Sequence, residues 1–122
     1  IRMRNEYNNK EWFVAENGMG VQNEDKYRDE SGMIQDDYRI DFFKQHLYWA
    51  VKGTQAGSNL KGYMNWAFTD NVSPMNAFKN RYGLVEIDLE DNRNRHLKKS
   101  AYFFQKLIAE HCYSYEMDTE YK

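Results

Sequence analysis

At 122 residues, with 41% hydrophobic and 16% aromatic side chains, the chain has the length of one domain and the apolar material for a core of its own; one proline and seven glycines exclude a fibrous or disordered chain. A formal net charge of -2, with the short and interrupted "RNRHLKK" as the longest basic cluster, excludes a general attraction to nucleic acid. No apolar run approaches the roughly 18 residues of a membrane span, and the lone cysteine, Cys112, cannot close an internal disulfide, which fits a reducing compartment.

The opening "IRMRNEYNNK" is not a signal peptide, and without a methionine at position 1 the chain is expected to be an excised piece of something longer. The first element is Trp12-Phe13-Val14-Ala15, four consecutive apolar residues that predict a strand buried on both faces, with Glu16 emerging where it ends. "VQNEDKYRDESGMIQ" follows and reads as a surface loop. "DDYRIDFFKQHLYWAVKGTQAG" places Ile40, Phe43, Leu47 and Val51 at steps of three and four, an apolar helical stripe with Asp36 or Asp37 as N-cap and Gly57 as C-cap. "LKGYMNWAF" is a second, aromatic strand that gives way to the loop "TDNVSP". "YGLVEIDLEDNRNRHLKK" predicts a hairpin turning at Glu90-Asp91-Asn92. The last helix opens near Ser100 with Ala101, Phe104, Leu107 and Ile108 on one side. The order is strand, helix, strand, hairpin, helix, with polar and acidic residues gathered after each strand. That is the pattern of two βα units of an α/β barrel, whose active sites form at the C-terminal ends of the strands; a whole barrel takes about 250 residues, so about a quarter of one is here.

Several chemistries are not indicated. His46, His96 and His111 have no metal-ligand spacing to one another or to Cys112, no serine sits in a nucleophile elbow and no glycine set forms a phosphate loop, so neither a metal nor a cofactor is expected. His46 reads as a packed or capping residue, and Phe42-Phe43 and Tyr48-Trp49 as core and helix-interface residues. On its own, Glu16 before Asn-Gly reads either as a cap or loop-surface glutamate or as a strand-end carboxylate with a chemical role.

Four segments, in order, resemble glycoside hydrolase family 1. "FVAENG" resembles its (I/V)TENG motif and "GYMNWAFTDNVS" its G-Y-x-x-W-(S/T)-x-x-D-N-(F/W) motif. "DDYRIDFFKQHL" is similar to its D-x-x-R-x-x-Y-x-x-x-H-L helix, and "NRYGLVEIDLEDNRNRHLKKSAYFF" to its R-(F/Y)-G-L-x-x-V-D and K-x-S-A-x-W-(F/Y) ending. Together they cover nearly every residue from Glu11 to Ile108. Ala15 stands for the usual Thr, and Phe103-Phe104 for the usual aromatic pair. The resemblance implies the C-terminal part of a (β/α)8 TIM barrel, its last two βα units plus a small hairpin, with residues 1–122 as a C-terminal fragment of one glycosidase domain. It implies retaining hydrolysis of β-linked sugars with Glu16 as the nucleophilic carboxylate and Trp66 lining the sugar pocket. The acid/base partner sits, in that family, in an N-E-P motif on an earlier strand. These residues contain "NEY" and "NED" but no N-E-P, so the fragment alone is expected to be inactive, and its open sheet edges to favour self-association.

The loop "DNVSPMNAFKNRYG" refines the substrate. Members of the family that take unphosphorylated glucose usually read F-E-W after D-N; here the glutamate position is Ser73, which resembles the phospho-β-glycosidase branch. There a serine, a lysine and a tyrosine hold the sugar 6-phosphate, with Ser73, Lys79 and Tyr82 as counterparts. The lysine commonly precedes Arg-Tyr directly, whereas here Asn80 intervenes, so either Lys79 or Asn80 takes that place. Pro74, where galactose-type enzymes tend to have Trp, points to 6-phospho-β-glucosides. Phosphorylated disaccharides arise inside the cell, which implies a cytoplasmic enzyme acting on a small-molecule glycoside. The alternatives are a β-glucosidase for unphosphorylated sugars and a non-catalytic carbohydrate-binding half-barrel.

Overall fold

The structure, a computed structural model, describes residues 1 to 112; residues 113 to 122 of the expected 1–122 unit lie outside the described residues. Its elements are α1 (Arg2–Glu6), β1 (Trp12–Asn17), β2 (Val21–Gln22), a 3₁₀ turn (Glu24–Tyr27), α2 (Asp37–Gln55), β3 (Leu60–Asn65), β4 (Asn80–Arg81), β5 (Val85–Ile87), β6 (Arg95–Leu97) and α3 (Lys99–Glu110). β1 and β3 run parallel, Trp12 opposite Leu60 and Asn17 opposite Asn65, with α2 as the crossover that a parallel pair requires. The hairpin forms where expected: β5 and β6 are antiparallel, with Val85 opposite Leu97 and Ile87 opposite Arg95. The predicted alternation of strand and helix is therefore present, and the short helix α1 is an addition. Among the described residues no helix is long and apolar enough to cross a membrane.

Helix ends follow the sequence signals with one exchange of partners. Beyond the end of α2, Gly57 adopts φ +88° and its amide donates to the Thr54 carbonyl at 2.8 Å, while Ser58 donates to Gly53 at 3.0 Å. These two bonds close a Schellman motif, which needs a left-handed residue and hence favours glycine. Asp36 is the N-cap of α2, yet its side chain does not cap that helix. Its carboxylate accepts from the Ser100 amide at 2.8 Å and the Ser100 hydroxyl at 2.6 Å, so it caps α3 instead and ties the two helix starts together.

The apolar core is smaller than composition implies. Among the described residues it comprises Ile34, Ile40, Phe43, Leu84 and Val85, outnumbered by buried polar or charged residues. β1 is covered on one face only and Phe13 is 55% exposed, which corrects the expectation of burial on both faces. The stripe on α2 is buried at Ile40 and Phe43 but Val51 is exposed, as is Ile108 on α3; Trp49, expected at the core or a helix interface, is 64% exposed because no described element covers that face of α2. The covering layer reaches only as far as α3, whose Phe104 ring meets Phe43 edge-on at 4.8 Å. Phe43 has no exposed surface and its ring also lies edge-on to Tyr63 of β3, centroids 6.5 Å apart. Truncating it empties a point where α2, α3 and β3 meet. Phe43→Ala is therefore expected to cost about 3 to 5 kcal/mol of stability, measured as a lowered urea midpoint; a loss under about 1 kcal/mol would show that this contact is not the core.

The segment from Val21 to Gln35, expected as a plain surface loop, is partly structural. β2 pairs with β4 antiparallel, Val21 opposite Arg81 and Gln22 opposite Asn80. Glu24 is 3% exposed and accepts from the Tyr38 hydroxyl at 2.6 Å, from Lys98 Nζ at 2.5 Å and from Arg39. Lys98 also donates to Asp70 at 3.0 Å, and Arg81 lies 3.6 Å from the other Asp70 oxygen. Two buried acids thus meet two buried cations and a half-buried arginine. Such groups are tolerated inside only when paired, and here each is. Burial, reinforced by the bond to Glu24, pushes the Tyr38 hydroxyl far above its ordinary pKa.

Candidate active site

Glu16 lies at the C-terminal end of β1, where the strand loses its regular pairing. Val14 is opposite Tyr63 and Asn17 opposite Asn65, so three steps along β1 match two along β3. The extra residue is a bulge at Ala15-Glu16, a device that re-aims a side chain. Trp12, Val14 and Asn17 line a small cavity against His46, Trp49 and Ala50 of α2, while Phe13, Ala15 and Glu16 are exposed on the other face. Without the bulge, strict alternation would turn Glu16 toward the helix. Among the described residues no cation or donor pairs with its carboxylate. Asn17, facing the other way, accepts from the Tyr63 hydroxyl, whose pKa burial raises well above its ordinary value.

The chain after Glu16 is pressed against two other parts of the molecule. The Asn17 carbonyl accepts from the Trp66 amide at 2.8 Å, bringing Trp66, 43% exposed, beside the end of β1. A Cβ on Gly18 would stand 1.6 Å from the Trp66 carbonyl oxygen, and one on Gly20 would stand 2.6 Å from the Tyr82 ring. Glycine is required at 18, where backbone occupies the space of a side chain, whereas a side chain at 20 would displace the Tyr82 ring. Trp66 in turn is tied to the Tyr82 segment, since the Ala67 amide donates to the Tyr82 carbonyl at 3.2 Å. Asn80 Nδ2 reaches the Tyr82 hydroxyl at 3.5 Å.

The structure therefore gathers Glu16, Trp66, Asn80 and Tyr82 around one turn of backbone. The other two expected residues, Ser73 and Lys79, are not hydrogen-bonded into that group. Lys79 lines a polar cavity of about 160 Å³ with Glu24, Asp70, Arg81 and Glu86, on the opposite side of the segment from Asn80 and Tyr82. Ser73 closes a tight loop, exchanging backbone bonds with Ala77 at 2.9 and 2.8 Å while its hydroxyl accepts from the Met75 amide at 3.3 Å. No hydrogen bond joins Ser73 or Lys79 to Glu16, Trp66 or Tyr82.

Two arrangements were not legible in residue spacing. His96 approaches Asp88 and Asp91 across the hairpin, their ligand atoms within 4.8 Å of one another. Asp88 accepts the amides of Asp91 and Glu90, which hold its carboxyl below the usual range and account for its place in the turn. His46, expected as a packed or capping residue, is instead exposed in the middle of α2, its Nδ1 at 2.7 Å from the Phe42 carbonyl one turn earlier. The second is Arg39. Its place in the helix motif assigns it no function, yet it is fully buried beneath the turn that follows Glu16; the glycine spacing in "ENGMG" is the sequence signal that something packs there closely.

Comparison with known proteins places this geometry. The pattern of "Glycosyl hydrolase family 1" matches residues 1 to 113. The chain is 52% identical over 111 residues to the 6-phospho-beta-glucosidase GmuD of Bacillus subtilis, covering 91% of this chain and 24% of that protein. It is 40% identical to a 6-phospho-beta-galactosidase of Clostridium acetobutylicum, covering 90% of this chain and 22% of that one. Among solved structures, the family 1 β-glucosidase from Thermotoga maritima superposes with a TM-score of 0.84 at 30% identity, covering 93% of this chain and 25% of that one. The chain thus spans about a quarter of the length of the relatives it matches.

Proposed function

The chain belongs to glycosyl hydrolase family 1, contributing βα units of its (β/α)8 barrel, and from this we propose that it carries the nucleophile and one wall of the sugar pocket of a retaining β-glycosidase. The observation that carries the reading is the bulge that turns the strand-end carboxylate of Glu16 onto the open face, beside Trp66. Glu16 attacks the anomeric carbon as the glycosidic bond breaks, and a second carboxyl about 5 to 5.5 Å away protonates the leaving oxygen. Water then cleaves the glycosyl-enzyme with that second group as base. Trp66 offers an aromatic face to the sugar ring. The second carboxyl belongs to a strand outside these residues, so residues 1–122 by themselves are expected to show no turnover.

The substrate we infer is a 6-phospho-β-glucoside. Ser73 supports it, because a glutamate there would face a 6-phosphate of roughly -1.5 to -2 charge. That repulsion is about 4 kcal/mol per unit charge pair at 4 Å and an effective dielectric of 20. The high identity to a 6-phospho-beta-glucosidase supports it further. Between the two candidate donors, Asn80 is favoured by its approach to Tyr82, and Lys79 is disfavoured by sharing a cavity with Arg81. A substrate phosphorylated inside the cell makes the enzyme cytoplasmic. The competing reading, an unphosphorylated β-glucoside, draws support from the same placement of Lys79, since a neutral Asn80 holds phosphate less strongly.

The test compares kcat/KM for p-nitrophenyl β-glucoside and its 6-phosphate in the full-length protein. The expected preference for the phosphate is at least about a hundredfold, near 3 kcal/mol, and Ser73→Glu is expected to remove most of it. Equal rates on the two substrates would discard the phosphate reading and leave the glycosidase reading standing.

A further inference from the structure

Arg39, on the first turn of α2, touches no position open to a sugar, yet it uses all five of its donors. Nε donates to Asp36 Oδ2 at 2.9 Å. Nη1 donates to the Met19 carbonyl at 2.7 Å and the Tyr82 carbonyl at 3.2 Å. Nη2 donates to Glu24 and to the Arg81 carbonyl at 3.2 Å. The guanidinium has no exposed surface. Burial by itself opposes its charge, but the carboxylates of Glu24 and Asp36 outweigh that and hold its pKa above the ordinary arginine value.

The three carbonyls divide between the two halves of the candidate site. Met19 lies three residues beyond Glu16, in the turn pressed on Trp66 and Tyr82; Arg81 and Tyr82 belong to the segment that carries Asn80. We propose that Arg39 is a positioning residue for the glycosidase reaction: one buried planar cation fixes the distance between the turn that carries the nucleophile and the segment that carries the sugar-facing Asn80 and Tyr82. This inference rests on the reading of Glu16 as nucleophile. A planar fork is needed because five acceptors lie around it, whereas a lysine in the same place has three donors and no fixed plane. Glu24 and Asp36 hold the fork from behind, which explains why the polar segment after β2 folds inward.

The experiment uses the full-length protein with Arg39→Lys, Arg39→Ala and, as a control for lost stability alone, Phe43→Ala. Rates are referred to folded molecules, counted by tryptophan fluorescence in a urea titration. Both Arg39 variants are expected to lose at least about thirtyfold in kcat on p-nitrophenyl β-glucoside and its 6-phosphate. Their ratio of kcat/KM on the two substrates should also shift by at least about fivefold, because two parts of the site move relative to each other. Phe43→Ala should keep both quantities within about threefold. Millimolar guanidinium should restore the Arg39→Ala enzyme by at least about tenfold, and ammonium should not. Hydrogen exchange supplies a readout free of activity: in both Arg39 variants, amides of residues 18 to 22 and 80 to 83 should lose protection together while β1 and β3 keep theirs. Unchanged kcat per folded molecule, or protection lost evenly along the chain, would overturn the proposal. If the unmodified protein hydrolyses neither substrate, the glycosidase reading fails, and the exchange pattern still decides whether Arg39 joins the two segments.

Discussion

Glu16→Gln in the full-length protein is expected to lower hydrolysis of β-glycosides by about 10⁴-fold or more, because the amide cannot form the covalent intermediate and neither of the nearest acids in sequence can replace it. Glu11 and Glu24 are the nearest acids in sequence. Glu11 is exposed and pairs with Lys61 at 3.5 Å, at the far end of β1, and Glu24 is buried between Arg39 and Lys98. Neither can reach a sugar on the open face. A smaller replacement, Glu16→Gly, separates loss of the nucleophile from loss of the fold. Azide added to that variant can occupy the vacated space and attack the anomeric carbon from the same side, giving the α-glycosyl azide from an activated β-glycoside. Retention of more than about a tenth of wild-type turnover by Glu16→Gln would remove Glu16 from its role.

Gly18→Ala is expected to cost more than about a hundredfold in kcat/KM, without any change in a group that touches substrate. The added Cβ would lie 1.6 Å from the Trp66 carbonyl oxygen, which is backbone rather than the yielding end of a side chain. Either the turn after Glu16 or the end of β3 must retreat by more than an ångström, and a misplacement of about that size costs about 10² in rate. The hydrogen bond from the Trp66 amide to Asn17 would lengthen in the same movement. Gly53 is the control, since a Cβ there meets nothing within 4 Å. Gly53→Ala lies inside α2, where alanine is the better helix former, and should leave the rate unchanged. Near-wild-type kcat/KM in Gly18→Ala would mean that the turn adapts freely and that the nucleophile's position does not depend on it.

The strands and long helices were legible because each carries a periodic signal. The apolar run at Trp12, the stripe at Ile40 and Phe43 and the glycine at 57 gave β1, α2 and its Schellman end in their places. Glu16 and Trp66 were legible as motif positions, and the parallel pairing of β1 with β3 explains their proximity. The buried charge network was not legible. Glu24 stands in a polar run whose composition is that of a loop, and only the distant Arg39 and Lys98 make it an interior residue. Nor does local sequence reveal that Asp36, a plausible cap for its own helix, caps α3 across 64 residues. The expected burial of β1 on both faces presumes neighbouring strands; with two strands the face bearing Phe13 stays open. Lys79 and Asn80 are neighbours, and a strand's alternation turns consecutive side chains to opposite faces, so the sequence leaves open which of the two faces the site.

The central claim is most directly tested by trapping the intermediate. A 2-deoxy-2-fluoro-β-glucosyl fluoride, used both with and without a 6-phosphate, slows both chemical steps by disfavouring the oxocarbenium-like transition state, while the good leaving group lets the first step proceed. The full-length protein is incubated with each reagent, digested and analysed by mass spectrometry. The account predicts a single fluoroglucosyl addition on the peptide containing Val14-Ala15-Glu16-Asn17, fragmenting to an ester on Glu16, and no such addition in Glu16→Gln. A label on any other residue, or steady turnover of β-glycosides with Glu16 never modified, would contradict it.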